Sequence, residues 1–209
     1  HLFSSAASDV YKRQAYPIEC NISDDNQLKR LIDESKEKIG PINVLICNAA
    51  TNPFMGSMLD MPIEKFDKVM NNNIRSNQIL CNYALPDMIE KKDGCVIIIS
   101  SIAAIKGSPI LGAYNISKAA DVMIVKNIAT EFGHQNIRAN TIAPGLIKTD
   151  FAKALWENPE ILKSVLSSTP MQRIGMPDEI AGVAVMLASE AGNYINGQTI
   201  VVDGGTTIS

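Results

Sequence analysis

Short apolar runs alternate along this chain with longer stretches in which apolar residues recur at helical spacing. The runs are typical of β-strands and the longer stretches of amphipathic helices. Strands that alternate with helices form βαβ units, in which helices cover the faces of a parallel sheet. The pattern therefore predicts an α/β fold with a doubly wound parallel sheet and a single domain.

Five runs are predicted as strands. They are residues 16–20, Val44–Cys47, residues 95–99, residues 137–143 and Thr199–Val202. The run Val44–Cys47 is apolar throughout, which predicts a strand that is covered on both faces. Pro144-Gly145 and Asp203-Gly204-Gly205 follow two of the strands and end them.

The stretches between these runs are predicted as helices. Ser23 is the predicted N-cap of the first helix, and Gly40-Pro41 ends it. The further predicted helices are residues 63–91 with a break near residues 71–73, residues 114–132 closed by Gly133, segments within residues 150–168, and residues 177–187.

Composition excludes several classes of function. The net charge is -3, and no apolar run approaches the length of about 18 residues that suggests a membrane helix. No nucleic-acid or membrane partner is expected. Four cysteines lie far apart without metal-ligand spacing, which favours reduced thiols in a cytoplasmic protein. The only histidine beyond the first residue is His134, so a serine hydrolase and a metal enzyme are both disfavoured.

The first fourteen residues need a separate interpretation. Residues 4–14, SSAASDVYKRQ, match one reading frame of a common transposase sequencing adapter over eleven consecutive positions. Residues 1–14 are therefore predicted to be a non-native leader and are left out of the fold prediction. The native sequence is expected to resume at about Ala15, with residues 15–209 forming part of one catalytic domain.

Small and hydroxylic residues follow three of the predicted strands. They are Asn48-Ala49-Ala50, Ser100-Ser101 and Pro144-Gly145. In an open parallel sheet, ligands bind outside the carboxyl ends of the strands. These residues are therefore expected to line one cleft in which a ligand approaches the backbone closely.

Tyr114 and Lys118 are four positions apart on a predicted helix, so they share a face. A phenol has a reference pKa near 10, and a neighbouring ammonium favours its ionised form. Such a pair can act as a general acid/base on a carbonyl or alcohol oxygen. Ser101, at the end of a strand, would orient that oxygen. Asn73, where a helix is interrupted, could place its backbone against a water that leads to Lys118, or could simply break the helix.

These residues occur in the order Asn48-Ala49-Ala50, Asn73, Ser101, Tyr114-x-x-x-Lys118 and Pro144-Gly145-x-x-x-Thr149. In order and spacing the chain resembles the short-chain dehydrogenase/reductase family over residues 15–209. The resemblance implies a Rossmann-type sheet and hydride transfer between a nicotinamide cofactor, NAD or NADP, and a small-molecule carbonyl or alcohol.

The same resemblance implies a role for each residue of the pattern. Tyr114 is the acid/base, Ser101 orients the substrate, Lys118 binds the ribose and lowers the Tyr pKa, and Asn73 completes a proton relay. The remaining cofactor contacts that it implies are Asn21, Asn48, Ala49, Pro144, Gly145, Ile147 and Thr149. Asn21 stands where the family usually has an aspartate near the adenine.

Three segments give a closer likeness to carbonyl and retinal reductases of the dehydrogenase/reductase type and their bacterial relatives, which favours NADP. They are NAATNPFMGSMLD from Asn48, SSIAA from Ser100 and APGLIKTDFAKALW from Ala143. The family's Gly-x-x-x-Gly-x-Gly phosphate loop is absent from the sequence. We therefore expect that its first two strands and this loop are missing.

The predicted substrate is a hydrophobic carbonyl, since apolar side chains lie in the loops expected above the nicotinamide. These are Phe54, Met55, Leu111, Leu155 and Trp156. The family further implies a homodimer or homotetramer formed by the helices that carry Asn73 and Tyr114. Two alternatives stay open. One is a 3-oxoacyl-carrier-protein reductase, whose carrier would need the basic Lys106, Lys148 and Lys153. The other is a nucleotide-binding protein without turnover.

Overall fold

The computed structural model describes residues 15–209, so the predicted leader at residues 1–14 lies outside the described residues. Its sheet has four parallel strands in the order β1-β2-β3-β4. The strands are β1 (Val44–Cys47), β2 (Gly94–Ile99), β3 (Ile137–Pro144) and β4 (Thr199–Val202). The predicted parallel α/β fold is confirmed, and these four strands lie within one or two residues of their predicted bounds.

Seven α-helices are found among the described residues. They are α1 (Asp25–Ile39), α2 (Ile63–Met70), α3 (Ser76–Lys91), α4 (Gly112–Phe132), α5 (Lys153–Trp156), α6 (Pro159–Ser167) and α7 (Pro177–Ala188). Short 3-10 turns at Met58–Asp60, Ile102–Ala104, Gly133–Gln135 and Glu190–Gly192 join several of them. The positions agree with the sequence prediction, although α4 begins at Gly112 rather than at Tyr114.

The predicted strand at residues 16–20 is wrong, because this segment has no regular secondary structure. A strand requires a neighbour to complete its hydrogen bonds. In the described part of the chain, the sheet ends at β1, which pairs only with β2. An apolar run shows that a segment can be buried, but it does not show which strand would pair with it.

The prediction that β1 is covered on both faces is also wrong for the described residues. Leu45 and Cys47 are buried on one face, whereas Val44 and Ile46 are 41% and 47% exposed on the other. Successive side chains of a strand point to opposite faces. Apolar side chains on both faces therefore do not establish that both faces are covered.

The start of α1 corrects the predicted N-cap. Asp24, rather than Ser23, caps the helix, since its Oδ1 accepts hydrogen bonds from the backbone N–H groups of Asn26 and Gln27. The Ser23 hydroxyl donates to Asn21 Oδ1 instead. The helix ends at Gly40, as predicted, with a φ of 82° that favours glycine.

The predicted break near residues 71–73 is a π-helical turn, Asn71–Arg75, which joins α2 to α3 without interrupting the helical path. The Ser76 N–H donates to the carbonyl of Asn71, five residues earlier, instead of to the residue four earlier. Such a turn inserts one extra residue and rotates the side chains that follow it. Asn73 is the one residue of this turn that is buried.

The core lies on both faces of β2 and β3, and β3 is buried along its whole length. Val96 and Ile98 pack with residues of α1, α3 and α4 on one side, while Cys95 and Ile97 pack with Leu187 of α7 on the other. Alternation along β2 thus supplies two apolar layers from one strand. All four cysteines are free, and three of them, Cys47, Cys81 and Cys95, are buried.

Gly145 follows β3 at a point where two strands come close together. Its N–H donates to the carbonyl of Val202 at 3.0 Å. A Cβ at this position would lie 2.9 Å from Asp203 Cα and 3.3 Å from the Asp203 carbonyl oxygen. Because the obstacle includes backbone, it cannot turn away as a flexible side chain could.

We therefore expect Gly145→Ala to lower the free energy of unfolding by about 1–3 kcal/mol, the usual cost of overpacking. Gly182→Ala is the matched control, since Gly182 lies inside α7 with nothing within 4 Å of the added Cβ. There alanine should raise the free energy of unfolding by about 0.5–1 kcal/mol, because it favours a helix over glycine. Urea unfolding of both variants measures the difference. Equal stability of the two variants would contradict the close approach.

Candidate active site

The parallel register brings the carboxyl ends of the four strands to one edge of the sheet. Cys47 pairs with Ile98, Ile99 with Ile142, and Pro144 with Val202. The residues after these strands therefore lie side by side. They are Asn48, Ser100, Gly145 and Asp203. This is the edge of the sheet at which ligands bind in open parallel sheets, and at which the strand-end residues were expected to meet.

Ser101 stands at the start of the 3-10 turn after β2. Its Oγ accepts a hydrogen bond from the Ala103 N–H at 3.1 Å, which fixes the side-chain direction. The Ser101 side chain faces the phenol of Tyr114 and favours its ionised form. The neighbouring Ser100 Oγ donates to the backbone carbonyl of Lys118 at 2.8 Å. The Ser100 hydroxyl thus holds α4 against the end of β2, and the Ser101 hydroxyl faces Tyr114.

Tyr114 and Lys118 lie one turn apart on α4, with the Lys118 Nζ 5.8 Å from the centre of the Tyr114 ring. Lys118 is 2% exposed, and its Nζ donates to the carbonyl of Ile99 at 2.9 Å. The same Nζ lies 3.0 Å from Oδ2 of Asp121. A buried ammonium therefore has two strong acceptors besides the tyrosine that it faces.

The phenol of Tyr114 is protonated at neutral pH in this structure. Its pKa is raised from 10.0 to about 12, chiefly by burial. The Ser101 side chain acts in the opposite direction and favours the ionised form, while the negative charge of Asp121 raises the pKa further. Desolvation is the larger effect, because a phenolate loses its hydration in this site.

Asn73 connects the π-helical turn to two other segments. Its Oδ1 accepts from the Thr51 N–H at 2.8 Å, and its Nδ2 donates to the Thr51 carbonyl at 3.0 Å and to Ser117 Oγ at 3.0 Å. Its backbone carbonyl accepts from Asn77 Nδ2 at 2.8 Å. The side chain thus fixes the loop after β1 against α4.

The residues predicted to contact the cofactor fall into two groups. Asn48 and Ala49 are exposed after β1, and Pro144 and Gly145 lie at the end of β3, on the other side of β2. Ile147 forms a bridge with Gly175, and Thr149 accepts the indole N–H of Trp156 through its carbonyl at 2.9 Å. Asn21 lies apart, in the turn before α1, where its Oδ1 accepts from the backbone N–H of Ser23 as well as from its hydroxyl.

The loops predicted to form an apolar pocket do approach one another. Gly56, next to Met55, forms a bridge with Leu111, and its N–H donates to Ile110 at 3.0 Å. On the other side, the ring of Phe151 lies 6.1 Å from that of Tyr114. Phe151 was missed by the sequence analysis. It is 57% exposed.

Asp121 and Asn77 are two further residues that sequence reasoning missed. Both are buried, and Asn77 Nδ2 donates to Asp121 Oδ1 at 3.0 Å. Of these two residues, only Asp121 could have been recognised as unusual from the sequence. It stands three residues after Lys118, among the apolar and small residues of α4, where a carboxylate is costly without a partner.

Comparison with known proteins decides the family. The family model described as "Enoyl-(Acyl carrier protein) reductase" matches residues 3–207. "Dehydrogenase/reductase SDR family member 4" of Bos taurus is 40% identical over 187 residues, which cover 90% of this chain and 67% of the relative. The human protein of that name is 38% identical over 187 residues, with the same coverage. The chain belongs to the short-chain dehydrogenase/reductase (SDR) family.

Solved structures agree with this assignment. One is a 7α-hydroxysteroid dehydrogenase complexed with NADH and 7-oxo glycochenodeoxycholic acid, which matches with a TM-score of 0.90 at 33% identity. The match covers 96% of this chain and 78% of the dehydrogenase chain. A gluconate 5-dehydrogenase from Burkholderia cenocepacia, in complex with NADP and tartrate, has a TM-score of 0.86 at 28% identity. It covers 90% of this chain and 73% of its own. This chain is therefore an SDR oxidoreductase with the Rossmann-like fold of the family.

The raised pKa of Tyr114 gives a test of the SDR site that needs no ligand. We expect the tyrosinate absorbance of the wild type minus that of Tyr114→Phe to rise only well above pH 10, toward about 12. A folded-state pKa above the unfolded value means that the folded state retains its proton longer. This contribution to stability is thus present below pH 10 and is lost as the pH rises through about 12. An absorbance step at or below pH 10 would contradict the burial of this phenol.

Proposed function

We propose that this SDR protein interconverts a hydrophobic carbonyl compound and its alcohol by NAD(P)-dependent hydride transfer, with Tyr114 as the acid/base. The observation that carries the proposal is the contact between the Tyr114 and Ser101 hydroxyls beside the ammonium of Lys118. A substrate oxygen that accepts hydrogen bonds from both hydroxyls would be oriented and polarised at once.

The described residues fit the nicotinamide half of such a cofactor. Asn48 and Ala49 are exposed at the strand ends, and Gly145 leaves the backbone beside Asp203 accessible at the same edge. Lys118 Nζ has two hydrogen-bond acceptors and keeps a third N–H for a ribose hydroxyl. When bound, the nicotinamide supplies or accepts the hydride. NADP is slightly favoured over NAD by the closer likeness of the three sequence segments.

The residues of the chain divide the remaining work. Ser101 orients the substrate oxygen, and Tyr114, protonated at neutral pH, donates its proton to that oxygen as the carbonyl carbon is reduced. In the reverse direction Tyr114 accepts the proton of the alcohol. Lys118 and a water on the Asn73 carbonyl would exchange the proton with solvent.

The structure supports a hydrophobic substrate. Phe151 exposes its ring beside Tyr114, and the Met55 and Leu111 loops meet on the other side of the cleft. Trp156 is held by the hydrogen bond to Thr149, with Lys148 Nζ 5.6 Å from its ring. Apolar walls with a few polar groups at the reacting atom are typical of a site for a largely apolar ligand.

The 3-oxoacyl-carrier-protein reductase alternative needs a basic surface for its acidic carrier. Lys153 lies 3.6 Å from Glu157, which offsets its charge, and Lys148 lies over the Trp156 ring. Lys106 contacts the Thr206 carbonyl at 3.4 Å. Lys153 is thus paired with a carboxylate, whereas Lys106 and Lys148 contact neutral groups and keep their charge. The family model's description keeps this alternative as the second candidate.

A homodimer or homotetramer is proposed for the assembly. Ile116 and Met123 of α4 are 43% and 54% exposed, while Val125 and Ile128 of the same helix are buried. A helix that is apolar on more than one face is typical of one that is covered twice. We expect light scattering to give a dimer or tetramer, and Met123→Lys to shift it toward the monomer. A strictly monomeric wild type would contradict this proposal.

The expected location is the cytoplasm, and this stays a prediction. Among the described residues, no helix is both long and apolar enough to cross a membrane. One relative, human "Dehydrogenase/reductase SDR family member 2, mitochondrial", is 35% identical over 190 residues.

The role of Tyr114 is tested by Tyr114→Phe, which removes only the hydroxyl. We expect a loss of about 10²–10⁴-fold in turnover, the usual contribution of a general acid/base, with cofactor affinity changed by only a few-fold. Tyr194→Phe is the matched control, because Tyr194 is fully exposed. The assay follows oxidation of NADPH and NADH with a panel of carbonyls.

Because the sequence holds no Gly-x-x-x-Gly-x-Gly loop, this assay should also include the chain extended at its N-terminus by a strand-loop-helix segment that carries one. A Tyr114→Phe variant that keeps more than about a tenth of the activity would remove the assigned role.

The hydrophobic pocket is tested by comparing substrates. Aromatic and long-chain carbonyls should have a higher kcat/KM than short polar keto acids. Phe151→Ala should reduce kcat/KM for the aromatic substrates by about tenfold, since loss of a buried aromatic contact costs about 1.5 kcal/mol. Ile39→Ala is the control. Ile39 is exposed at the end of α1, near the opposite edge of the sheet. A preference for short keto acids would overturn this proposal.

A further inference from the structure

The Asp121 carboxylate is the most deeply buried acidic group near Tyr114, and nothing in the roles assigned so far uses it. Its side chain has no solvent exposure. Oδ2 lies 3.0 Å from Lys118 Nζ, and Oδ1 accepts from Asn77 Nδ2 at 3.0 Å. A buried carboxylate costs free energy unless its oxygens are paired, and here both are. The site therefore tolerates Asp121 through Lys118 and Asn77.

The ammonium of Lys118 is fixed from two directions. It donates to the carbonyl of Ile99, the last residue of β2, and to Asp121, one turn further along α4. An ammonium has three N–H donors, so one is left. With two N–H groups fixed, the third has a defined direction rather than rotating freely.

Asn77 links this ion pair to the π-helical turn. Its Nδ2 donates both to Asp121 Oδ1 and to the carbonyl of Asn73, at 3.0 and 2.8 Å. The extra residue of the π turn sets the rotation of α3, and with it the direction of Asn77. The Asn77 amide therefore connects the backbone of Asn73 to the carboxylate that fixes Lys118.

The charges around Tyr114 are few. On its own helix it has Lys118 and Asp121. The thiol of Cys47 in β1 faces this pair and is itself hydrogen-bonded to Cys81 in α3. The hydrogen bond with Cys81 and burial hold the pKa of Cys47 well above its usual value, so that this thiol is neutral. The ammonium favours the phenolate of Tyr114, and the carboxylate opposes it.

We propose that Asp121 is a positioning residue which, with Asn77, holds the Lys118 ammonium and offsets its charge, so that this ammonium favours the phenolate of Tyr114 less than an unpaired one would. The proposal rests on the proposed function of the same site. It concerns only residues of this chain, and Asp121 itself contacts neither substrate nor cofactor.

The decisive measurement is the ionisation of Tyr114 in Asp121→Asn, which keeps the size of the side chain and removes its charge. We expect the tyrosinate step, taken as the difference from the same variant carrying Tyr114→Phe, to move to lower pH with at least a tenfold change in the ionisation constant. The pH optimum for alcohol oxidation should fall by the amount that corresponds to the same change in the ionisation constant. Asp33→Asn is the control, since Asp33 pairs with Lys29 at the surface of α1. It should change neither readout.

A second variant covers the case in which Asp121→Asn does not fold. Asn77→Ala leaves the carboxylate in place and removes one of its two partners, so it should move the Tyr114 step in the same direction by a smaller factor. If the tyrosinate step of Asp121→Asn lies at the same pH as that of the wild type, the proposal is overturned and Asp121 forms only a structural ion pair. If Asp121→Asn does not fold, an unchanged tyrosinate step in Asn77→Ala overturns the proposal in the same way.

The two proposals fail in different ways. If Tyr114 titrates as expected in the variants while the wild type reduces no carbonyl, the positioning role stands and the proposed function is wrong. If the wild type turns over and the variants keep its pH profile and tyrosinate step, the function stands and the positioning role is wrong.

Discussion

Lys118 carries a positive charge in a place that water scarcely reaches, and the local structure follows from that constraint. An isolated ammonium in such an environment would lose its proton or would not be buried at all. Here the end of β2 supplies a carbonyl, α4 supplies Asp121, and Ser100 secures the Lys118 backbone. The end of β2 and α4 are thus fixed to each other around Lys118, and Tyr114, one turn earlier, is fixed with them.

The parallel sheet places these groups at one edge, and it also decides which residues can stand there. Strands in register end together, so the loops that follow them lie close to one another. At Gly145 the backbone of Asp203 is so close that a Cβ would meet it. In the loop after β1, the amide of Asn73 forms hydrogen bonds with both backbone groups of Thr51. The small and polar residues at the strand ends are therefore structural requirements as well as possible ligand contacts.

Local pattern was sufficient to predict four strands and most helices, because burial alternation and capping are properties of short segments. It failed where the outcome depends on a distant neighbour. Residues 16–20 are apolar enough for a strand, but no strand among the described residues pairs with them. The outer face of β1 is apolar yet exposed.

The candidate site shows the same division. The positions of Ser101, Tyr114 and Lys118 follow from spacing and strand ends, and Asn73 was marked by the helix irregularity. Their partners could not be read from the sequence. Asn73 meets Ser117, and Asn77 meets Asp121, in each case across 44 residues. Such contacts depend on how α3 and α4 pack, which the periodicity of either helix does not specify.

Competing effects on one phenol determine what chemistry the site favours. Burial and the Asp121 charge raise the pKa of Tyr114, the Ser101 side chain lowers it, and the result of about 12 shows that desolvation is dominant. A phenol with that pKa is protonated at neutral pH, so it holds a proton to donate but must ionise before it can accept one. Oxidation of an alcohol therefore requires the phenol to lose its proton at a cost that reduction does not incur. Asp121 adds to that cost, because its negative charge raises the pKa of Tyr114 further.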